Sequence, residues 1–424
     1  MDIGVLFGIL FVLLALSVPI GISLGVATAV TIFTFSHLPL VLIAQNAFTG
    51  MDSFPLLAIP FFMLAGSLMT YGGISRRIVA MAECLVGFIT GGLAMVTIVA
   101  CMFFGAISGS AAATVSAIGS FMVPMMVEKK YNPAFAAAVI SSAGTIGCII
   151  PPSIPFVVYG VITGTSVSDL FIAGIVPGIV IGIALMVVAF FISKKEQYPR
   201  MSSFPTFKMV LKVFGESIWA LLVPVIVLGG IYGGIFTPTE AAVVATVYAL
   251  VVGKFIYKEL TYEITLKAFK DAIMVIGATL FMVGLATSFA SYLSMERVPV
   301  RVGSFILGFA HSKFLVLLLI NAVLLIIGCF VDNISSTIIL TPIFLPIVTA
   351  LGMDPIQFGM IISIGLAIGF STPPYGCNLF ISSTISKVSV EKISSRLVPF
   401  ILAMICCQLL FTYFPWFSLF LLNK

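Results

Sequence analysis

Residues 368–378 read IGFSTPPYGCN, two adjacent prolines set between glycines inside a long apolar run. Proline ends or kinks a helix, and the residue before it is driven toward extended geometry. In a membrane, the backbone groups freed by such a break are tolerated only where they are buried in protein or line a wet cavity. The stretch therefore predicts an interrupted helix whose break faces the interior of the protein.

The composition of the whole chain places that run in a membrane protein. Of 424 residues, 61% are hydrophobic and 8% are charged, whereas about a quarter of the residues of a soluble domain are charged. Apolar runs of the roughly 20 residues that cross a bilayer recur from end to end. The excess of Lys and Arg over Asp and Glu lies in short connections, so it indicates topology and not nucleic-acid binding. We predict an all-α, multi-pass membrane protein.

The chemistry-bearing side chains exclude several kinds of site. The seven cysteines are odd in number and lack metal-ligand spacing, so we expect no disulfide framework. The chain has two histidines, His37 and His311, both near the ends of apolar segments, which argues against a zinc site or a histidine base. A membrane hydrolase or acyltransferase needs such a group beside its nucleophile. We therefore predict that the chain is not an enzyme.

An earlier segment repeats the double proline. A shift of 222 residues places IGCIIPPSIPF (146–156) on the opening stretch, and a shift of 223 places FGAISGSAAAT (104–114) on IGCFVDNISST (327–337). These agreements predict a structural repeat, with halves at 1–193 and 215–424 joined by a polar connector at 194–214. Each half is predicted to hold one re-entrant hairpin and one broken helix: hairpins 104–127 and 327–349, broken helices 133–163 and 355–386.

The basic residues predict that the two halves are inverted in the membrane. Lysines and arginines in the connector place it in the cytoplasm. The loop 163–169 has no base, whereas its counterpart 385–396 has three; residues 128–130 read EKK, whereas their counterpart reads GMD. Equivalent loops should therefore face opposite sides, and both termini should be periplasmic. Paired broken helices in inverted repeats are typical of secondary transporters, whose sites lie near the membrane midplane.

Four segments carry a family resemblance. They are SFPLLAIPFFMLAGSLM (53–69), GAISGSAAAT (105–114), IGCIIPPSIPFVVYG (146–160) and SDLFIAGIVPG (168–178). They resemble the large, DctM-type membrane subunit of the tripartite ATP-independent periplasmic (TRAP) transporters, and the resemblance covers essentially the whole chain. It implies an elevator-type carrier of the bacterial inner membrane. It also implies two partners, a small four-helix membrane subunit and a periplasmic substrate-binding protein. The implied cargo is an organic acid, of the sialic acid or C4-dicarboxylate class, carried with sodium ions.

The resemblance and the repeat together suggest site residues. The first sodium site would use Gly105, Ser108, Gly147 and Ile150, and the second Gly328, Gly369, Thr372 and Tyr375. Substrate would lie near Ser108, Ser153, Asp332 and Asn333. Plainer alternatives stay open, because glycines also permit close helix packing and serines also bond to their own helix. Asp332 would accept hydrogen bonds from substrate, balance a sodium ion or pair with a structural donor.

Two alternative functions also stay open at this point. One is a stand-alone sodium–dicarboxylate type of carrier that needs no binding protein. The other is an ion channel, although channel filters are normally built by rings or symmetric strands and not by an inverted pair of broken helices. We expect the TRAP assembly to be the better description.

Overall fold

The computed structural model of the protein describes residues 2–16, 18–36, 38–200, 204–309 and 312–422, and it contains helices and no strands within these ranges. Nine of the helices described are long and apolar enough to cross a membrane. Helix is the expected form, because a segment in lipid must satisfy its own backbone hydrogen bonds. The prediction of an all-α multi-pass protein is confirmed. His37 and His311 both lie outside the described residues.

The helices are numbered in chain order. Before the central connector they are α1 (Asp2–Ala15), α2 (Ile20–Phe35), α3 (Val41–Met51), α4 (Ala58–Tyr71), α5 (Ile74–Val86), α6 (Gly92–Ser108), α7 (Ala111–Glu128), α8 (Pro133–Gly144), α9 (Ile154–Thr163) and α10 (Val167–Lys195). After it they are α11 (Phe207–Tyr232), α12 (Pro238–Val251), α13 (Tyr262–Met295), α14 (Val298–Phe309), α15 (Lys313–Phe330), α16 (Asn333–Ala350), α17 (Pro355–Gly369), α18 (Cys377–Ser386), α19 (Val390–Tyr413) and α20 (Trp416–Leu419).

Two helix pairs turn back on themselves at short tips. The α6–α7 tip is Gly109–Ser110, where Gly109 has φ +63° and Ser110 caps α7 by accepting from the Ala113 amide. The α15–α16 tip is Val331–Asp332, where the Asp332 carboxylate caps α16. The arms are longer than the predicted hairpins 104–127 and 327–349, since α6 begins at Gly92 and α15 at Lys313. Their apolar first arms carry no interruption, so the sequence pattern alone assigns them to separate spans.

Two further helices are broken at the double prolines. After α8 the chain makes one 3₁₀ turn (Thr145–Cys148), passes Pro151–Pro152 and begins again as α9. In the second half the chain leaves α17 after Gly369, passes Pro373–Pro374 and begins again as α18. Both Pro–Pro peptide bonds are cis. The outer ends of these helix pairs coincide with the ranges 133–163 and 355–386 that the sequence predicts.

The hairpins and the broken helices pack into one central unit. Helix α8 lies against α7, α18 and α19, α15 lies against α17, and α16 lies against α9. One bond set ties the halves together directly: the Ser371 hydroxyl (2.6 Å) and the Asn378 amide (3.3 Å) both donate to the carbonyl oxygen of Ser141, in the last turn of α8. Helices α2, α3 and α4 pack on α13 instead, and α5 and α12 pack on α11.

The connector between the halves is shorter than the predicted 194–214. Helix α10 continues to Lys195 and α11 starts at Phe207, because the basic residues at both ends are accommodated in helical turns. Its described part is fixed to the central unit: Arg396 of α19 pairs with Glu196, and the Tyr198 ring stacks on Tyr131 at 4.2 Å between centroids. Burial raises the pKa of Tyr198 to about 12, so this phenol stays protonated and donates to Glu196.

Candidate functional site

A cavity of about 480 Å³ lies between the central unit and the helices beside it. One wall is made by the hairpin tips and the helix breaks. The other wall is made by the start of α2, by Met63 of α4 and by α13 between Val275 and Met282. The lining is mostly apolar, and no Lys or Arg of the described residues contributes to it. The electrostatics of the cavity therefore depend on backbone groups and on one acid.

Four helices of the central unit begin at this cavity, as α2 on the opposite wall also does. The first residues of α7, α9, α16 and α18 all line it, through Ala111, Ile154, Asn333 and Cys377. A helix N-terminus carries unpaired N–H groups and the equivalent of roughly half a positive charge. Helix N-termini bind anions for this reason. The arrangement gives the cavity a positive backbone environment although no basic side chain lines it.

Asp332 is the acid that lines the cavity. Its Oδ1 accepts from the Ser335 amide (2.9 Å), while its Oδ2 is buried and has no hydrogen-bond partner within the described residues. The neighbouring Asn333 also lines the cavity, but its amide donates to the Ser363 carbonyl (3.4 Å) and its oxygen accepts from Thr337 (3.2 Å). Asp332 thus offers a free acceptor at the cavity, whereas the groups of Asn333 are already engaged.

The predicted residues of the first sodium site come together where α6 meets the break after α8. A methyl group placed on Gly105 would lie 2.9 Å from the Cα of Gly147. A methyl on Gly147 would overlap Thr114 Oγ1 and lie 2.7 Å from the Ser110 carbonyl oxygen. The Ser108 hydroxyl lies 3.1 Å from Thr114 Oγ1. Because neither glycine has a side chain, the backbones at Gly105 and Gly147 pack against each other, and Gly147 also packs against a group of hydroxyl and carbonyl oxygens.

The second half repeats the contact. A methyl on Gly369 would lie 2.5 Å from the Cα of Gly328 and 2.7 Å from its carbonyl oxygen. The Thr372 hydroxyl donates to the Ile368 carbonyl (2.9 Å), and the Thr372 amide donates to the Gly369 carbonyl (2.9 Å). Tyr375 is exposed, and its ring lies 5.6 Å from that of Phe330, at the end of α15, with the two planes tilted by 45°. Three of the four predicted residues, Gly328, Gly369 and Thr372, are therefore gathered at the break.

The other predicted residues lie in different surroundings. Ser153 is fully buried, its hydroxyl donates to the Cys148 carbonyl (2.6 Å), and it does not line the cavity. Ile150 is buried against Gly178 of α10. Ser108 lines an adjoining cavity of about 300 Å³, which shares Ser110 and Ala112 with the larger one. Of the four proposed substrate residues, Asp332 and Asn333 are the two that reach the larger cavity.

Thr114 and Ser110 are site residues that the sequence reasoning left out. Thr114 bonds to the Ser110 carbonyl (2.8 Å) and stands closest to Gly147. Its counterpart under the shift of 223, Thr337, bonds to Asn333 at the other hairpin tip (3.2 Å). The matched threonines are the signal available in the sequence, since each bonds to the residue four positions before it, at the start of its helix.

A multi-pass helical membrane protein whose hairpin tips and helix breaks converge on such a cavity has the architecture of a membrane transporter. The chain belongs to the family described as "Tripartite ATP-independent periplasmic transporter, DctM component", whose model matches residues 7–417. It is therefore a TRAP large permease and not an enzyme, as the sequence predicted.

Relatives with different named substrates match nearly the whole chain. The chain is 46% identical, over 98% of its length, to the isethionate TRAP transporter permease protein DctMQ of Oleidesulfovibrio alaskensis, and it spans 66% of that longer protein. It is 40% identical to the C4-dicarboxylate large permease DctM of Pseudomonas aeruginosa (93% of this chain, 92% of the relative). It is 37% identical to the sialic acid large permease SiaM of Vibrio cholerae (89% and 88%).

A solved structure has a similar fold. The Alcanivorax borkumensis YdaH transporter, whose crystal structure was described as having an unusual topology, superposes with a TM-score of 0.65. The similarity covers 89% of this chain and 88% of that one, at 12% sequence identity. At this identity the likeness concerns the fold alone.

Proposed function

We propose that the chain is the transport subunit of a TRAP system that imports a small organic acid, driven by sodium ions, across the bacterial inner membrane. The observation that carries this is the convergence of four helix N-termini on one cavity. An anion bound there would meet the positive ends of several helix dipoles at once. Asp332 Oδ2, the free acceptor at the same cavity, would accept a hydrogen bond from a hydroxyl or other donor of the substrate.

The position of the cavity supports an elevator mechanism. One wall belongs to the central unit and the other to α2, α4 and α13, so a substrate bound between them would change its access when the unit slides along those helices. The inverted arrangement of the halves, with periplasmic termini and a cytoplasmic connector, supplies two related positions for the unit. The bonds of Glu196 and Tyr198 would make the connector move with it.

The two glycine contacts fit sodium. Sodium is a hard cation that prefers oxygen ligands, and a methyl on Gly147 or Gly369 would enter space bordered by oxygens. In the first contact these are the Ser110 carbonyl and the Thr114 hydroxyl, which lies 3.1 Å from the Ser108 hydroxyl, and in the second it is the Gly328 carbonyl. A bound ion would supply positive charge next to the helix N-termini. The residues would hold the hairpin tip against the break and make substrate affinity depend on sodium.

The family name carries expectations about partners. TRAP assemblies are tripartite by name, so we propose a periplasmic binding protein that delivers substrate and a small four-helix membrane subunit that packs on the lipid-facing helices. The relatives name isethionate, C4-dicarboxylates and sialic acid. Identity to the isethionate permease exceeds identity to the sialic acid permeases, so a small hydroxylated acid is a better first candidate than sialic acid.

The test is uptake by proteoliposomes that contain this chain with its small subunit. We expect substrate to accumulate only with an inward sodium gradient and only in the presence of the cognate binding protein. Sodium-independent flux at a rate proportional to concentration would support a channel instead. Sodium-driven uptake without any binding protein would support the stand-alone carrier. Either result would overturn the TRAP mechanism for this chain.

Replacing Thr372 with valine tests the second sodium contact. The hydroxyl bonds to the Ile368 carbonyl in the last turn of the preceding helix α17, so its loss should affect folding little. A lost ligand should raise the sodium concentration for half-maximal uptake by about tenfold, the factor for about 1.4 kcal/mol. Thr349→Val is the matched control, because Thr349 makes the same bond to its helix (2.8 Å) away from the break. Equal sodium activation in both variants would remove Thr372 from the site.

A further inference from the structure

A buried polar cluster lies outside the cavity, where three helices of the second half meet. The Gln408 side chain of α19 donates to Asn321 Oδ1 on α15 (2.7 Å) and to the Ile361 carbonyl on α17 (2.8 Å). The hydroxyl of Thr412, one turn later on α19, lies 3.2 Å from the same Asn321 oxygen and 2.8 Å from the Gln408 carbonyl oxygen of its own helix. All three side chains are buried. We call Asn321, Gln408 and Thr412 the polar clamp.

Helix α17 also reaches toward α19. The Gln357 amide donates to the carbonyls of Phe411 (3.0 Å) and Thr412 (3.1 Å). Amides thus cross the α17–α19 interface in both directions, and the clamp adds α15. Unbonded polar groups are costly at membrane depth. Gln408 Oε1 already has no partner within the described residues, and sliding one of the helices by a turn would leave the amide N–H groups unpaired as well. The clamp therefore defines one register of α15 and α19 on α17.

The clamp and the second glycine contact share one helix interface. Asn321 and Gly328 lie two turns apart on the same face of α15, so about 10 Å separates them along the axis. On α17 the corresponding positions are Ile361, Gly365 and Gly369, each four residues from the next. A methyl on Gly365 would lie 3.1 Å from Gln408 Nε2 and 3.1 Å from Leu324 Cβ. The missing side chain at Gly365 thus leaves room for Gln408 of the clamp, as the missing side chain at Gly369 leaves room for Gly328.

The first half has the glycine contact but no clamp. The shifts that superpose the halves place Ile98 on Asn321, Met186 on Gln408 and Phe190 on Thr412, and Phe135 stands where Gln357 does. All four are apolar, although Gly105 and Gly147 meet as Gly328 and Gly369 do. The architecture of a half therefore does not require these polar residues. We therefore expect these polar residues to have a role that only the second half requires.

We propose that the polar clamp positions the second hairpin: it holds α15 on α17 and so sets the Gly328–Gly369 contact and the tip that carries Asp332. The clamp residues touch neither the cavity nor the proposed ion, so they are positioning residues. The effect on sodium use rests on the proposed function, whereas the effect on the hairpin does not. In the first half, apolar packing holds α6 on α8, and the hairpin tip there has Gly109 at the position of Asp332.

The test is the double variant Asn321→Ile with Gln408→Met, which copies the apolar residues of the first half. We expect hydrogen–deuterium exchange in segments 326–332 and 366–376 of the purified protein to rise by roughly tenfold, as the loss of the two interhelical hydrogen bonds donated by Gln408 predicts. Exchange in the equivalent segments 103–109 and 144–154 should not change. In proteoliposomes, the sodium concentration for half-maximal uptake should rise by a similar factor.

Asn46→Leu is the matched control, because it removes an interhelical amide bond to Ser291 (3.1 Å) between α3 and α13. It should leave exchange in all four segments as in the wild type. Unchanged exchange at 326–332 and 366–376 in the double variant, or an equal rise in both halves, would overturn the proposal. If the double variant does not fold, Thr412→Val is the alternative, because it removes the hydroxyl next to Asn321 at nearly constant side-chain volume. Exchange at 326–332 and 366–376 should then rise about threefold. Sodium-independent uptake by the wild type would overturn the proposed function, while the exchange contrast would still decide the clamp.

Discussion

Replacing Gly369 with alanine is expected to abolish uptake. The added methyl would lie 2.5 Å from the Cα of Gly328 and 2.7 Å from its carbonyl oxygen, and backbone cannot move aside as a flexible side chain can. Overpacking of this kind costs about 3 kcal/mol, which corresponds to a factor of roughly a hundred in any equilibrium that needs the contact. The measurement is sodium-driven uptake normalised to the amount of folded protein in the proteoliposomes.

Gly229→Ala is the control for the substitution itself. Gly229 lies in α11, and a methyl there meets nothing within 4 Å, so uptake should remain at the wild-type rate. Uptake by Gly369→Ala within a factor of about three of wild type, a difference below 1 kcal/mol, would show that the hairpin and the break do not need to approach so closely during transport.

Asp332→Asn is expected to reduce uptake by about 10–100-fold, because hydrogen bonds to charged groups contribute roughly 1.5–3 kcal/mol. Asparagine still caps α16, since its oxygen can accept from the Ser335 amide as Oδ1 does. The substitution replaces the partnerless Oδ2 by an NH₂ group, which presents a donor to the donor of the substrate. The measurement is the uptake rate across substrate concentrations, with folded protein quantified by gel filtration.

The matched control is Asp354→Asn, the same change at another N-cap. Asp354 caps α17 by accepting from the Ile356 amide (2.7 Å), and it does not line the cavity. Its variant should transport at nearly the wild-type rate. If Asp332→Asn behaved in the same way, Asp332 would be a capping residue and nothing more, and substrate recognition would rest on the helix N-termini alone.

The parts of the fold that the sequence predicts are those with local causes. Double prolines end helices wherever they occur, so both breaks and the outer ends of α8–α9 and α17–α18 follow from the pattern. The glycines before them could be paired across the repeat, and Gly105–Gly147 and Gly328–Gly369 indeed meet. The sequence does not predict that α6 and α15 are the first arms of hairpins, because an uninterrupted apolar run has the same pattern whether the helix crosses the bilayer or turns back within it.

The side-chain roles depend on partners far along the chain. Ser153 and Asp332 are both polar residues at a break or a tip, yet Ser153 bonds to Cys148 and faces away from the cavity, while Asp332 keeps one oxygen free. Asn333 was a reasonable substrate residue until Ser363 and Thr337 proved to occupy its amide. The pattern of residue types gives the region of a site, and the directions of individual side chains come from tertiary packing.

The bonds that reach the Ser141 carbonyl have a consequence for biosynthesis. Their donors, Ser371 and Asn378, lie 230 and 237 residues later in the chain. At roughly 5–20 residues per second, the ribosome reaches them about 10–50 s after Ser141. During that interval the Ser141 carbonyl lacks both of the donors that it bonds in the finished protein. The packing of α8 on α6 and α7 can form at once, whereas the end of α8 is completed only when the second half is made.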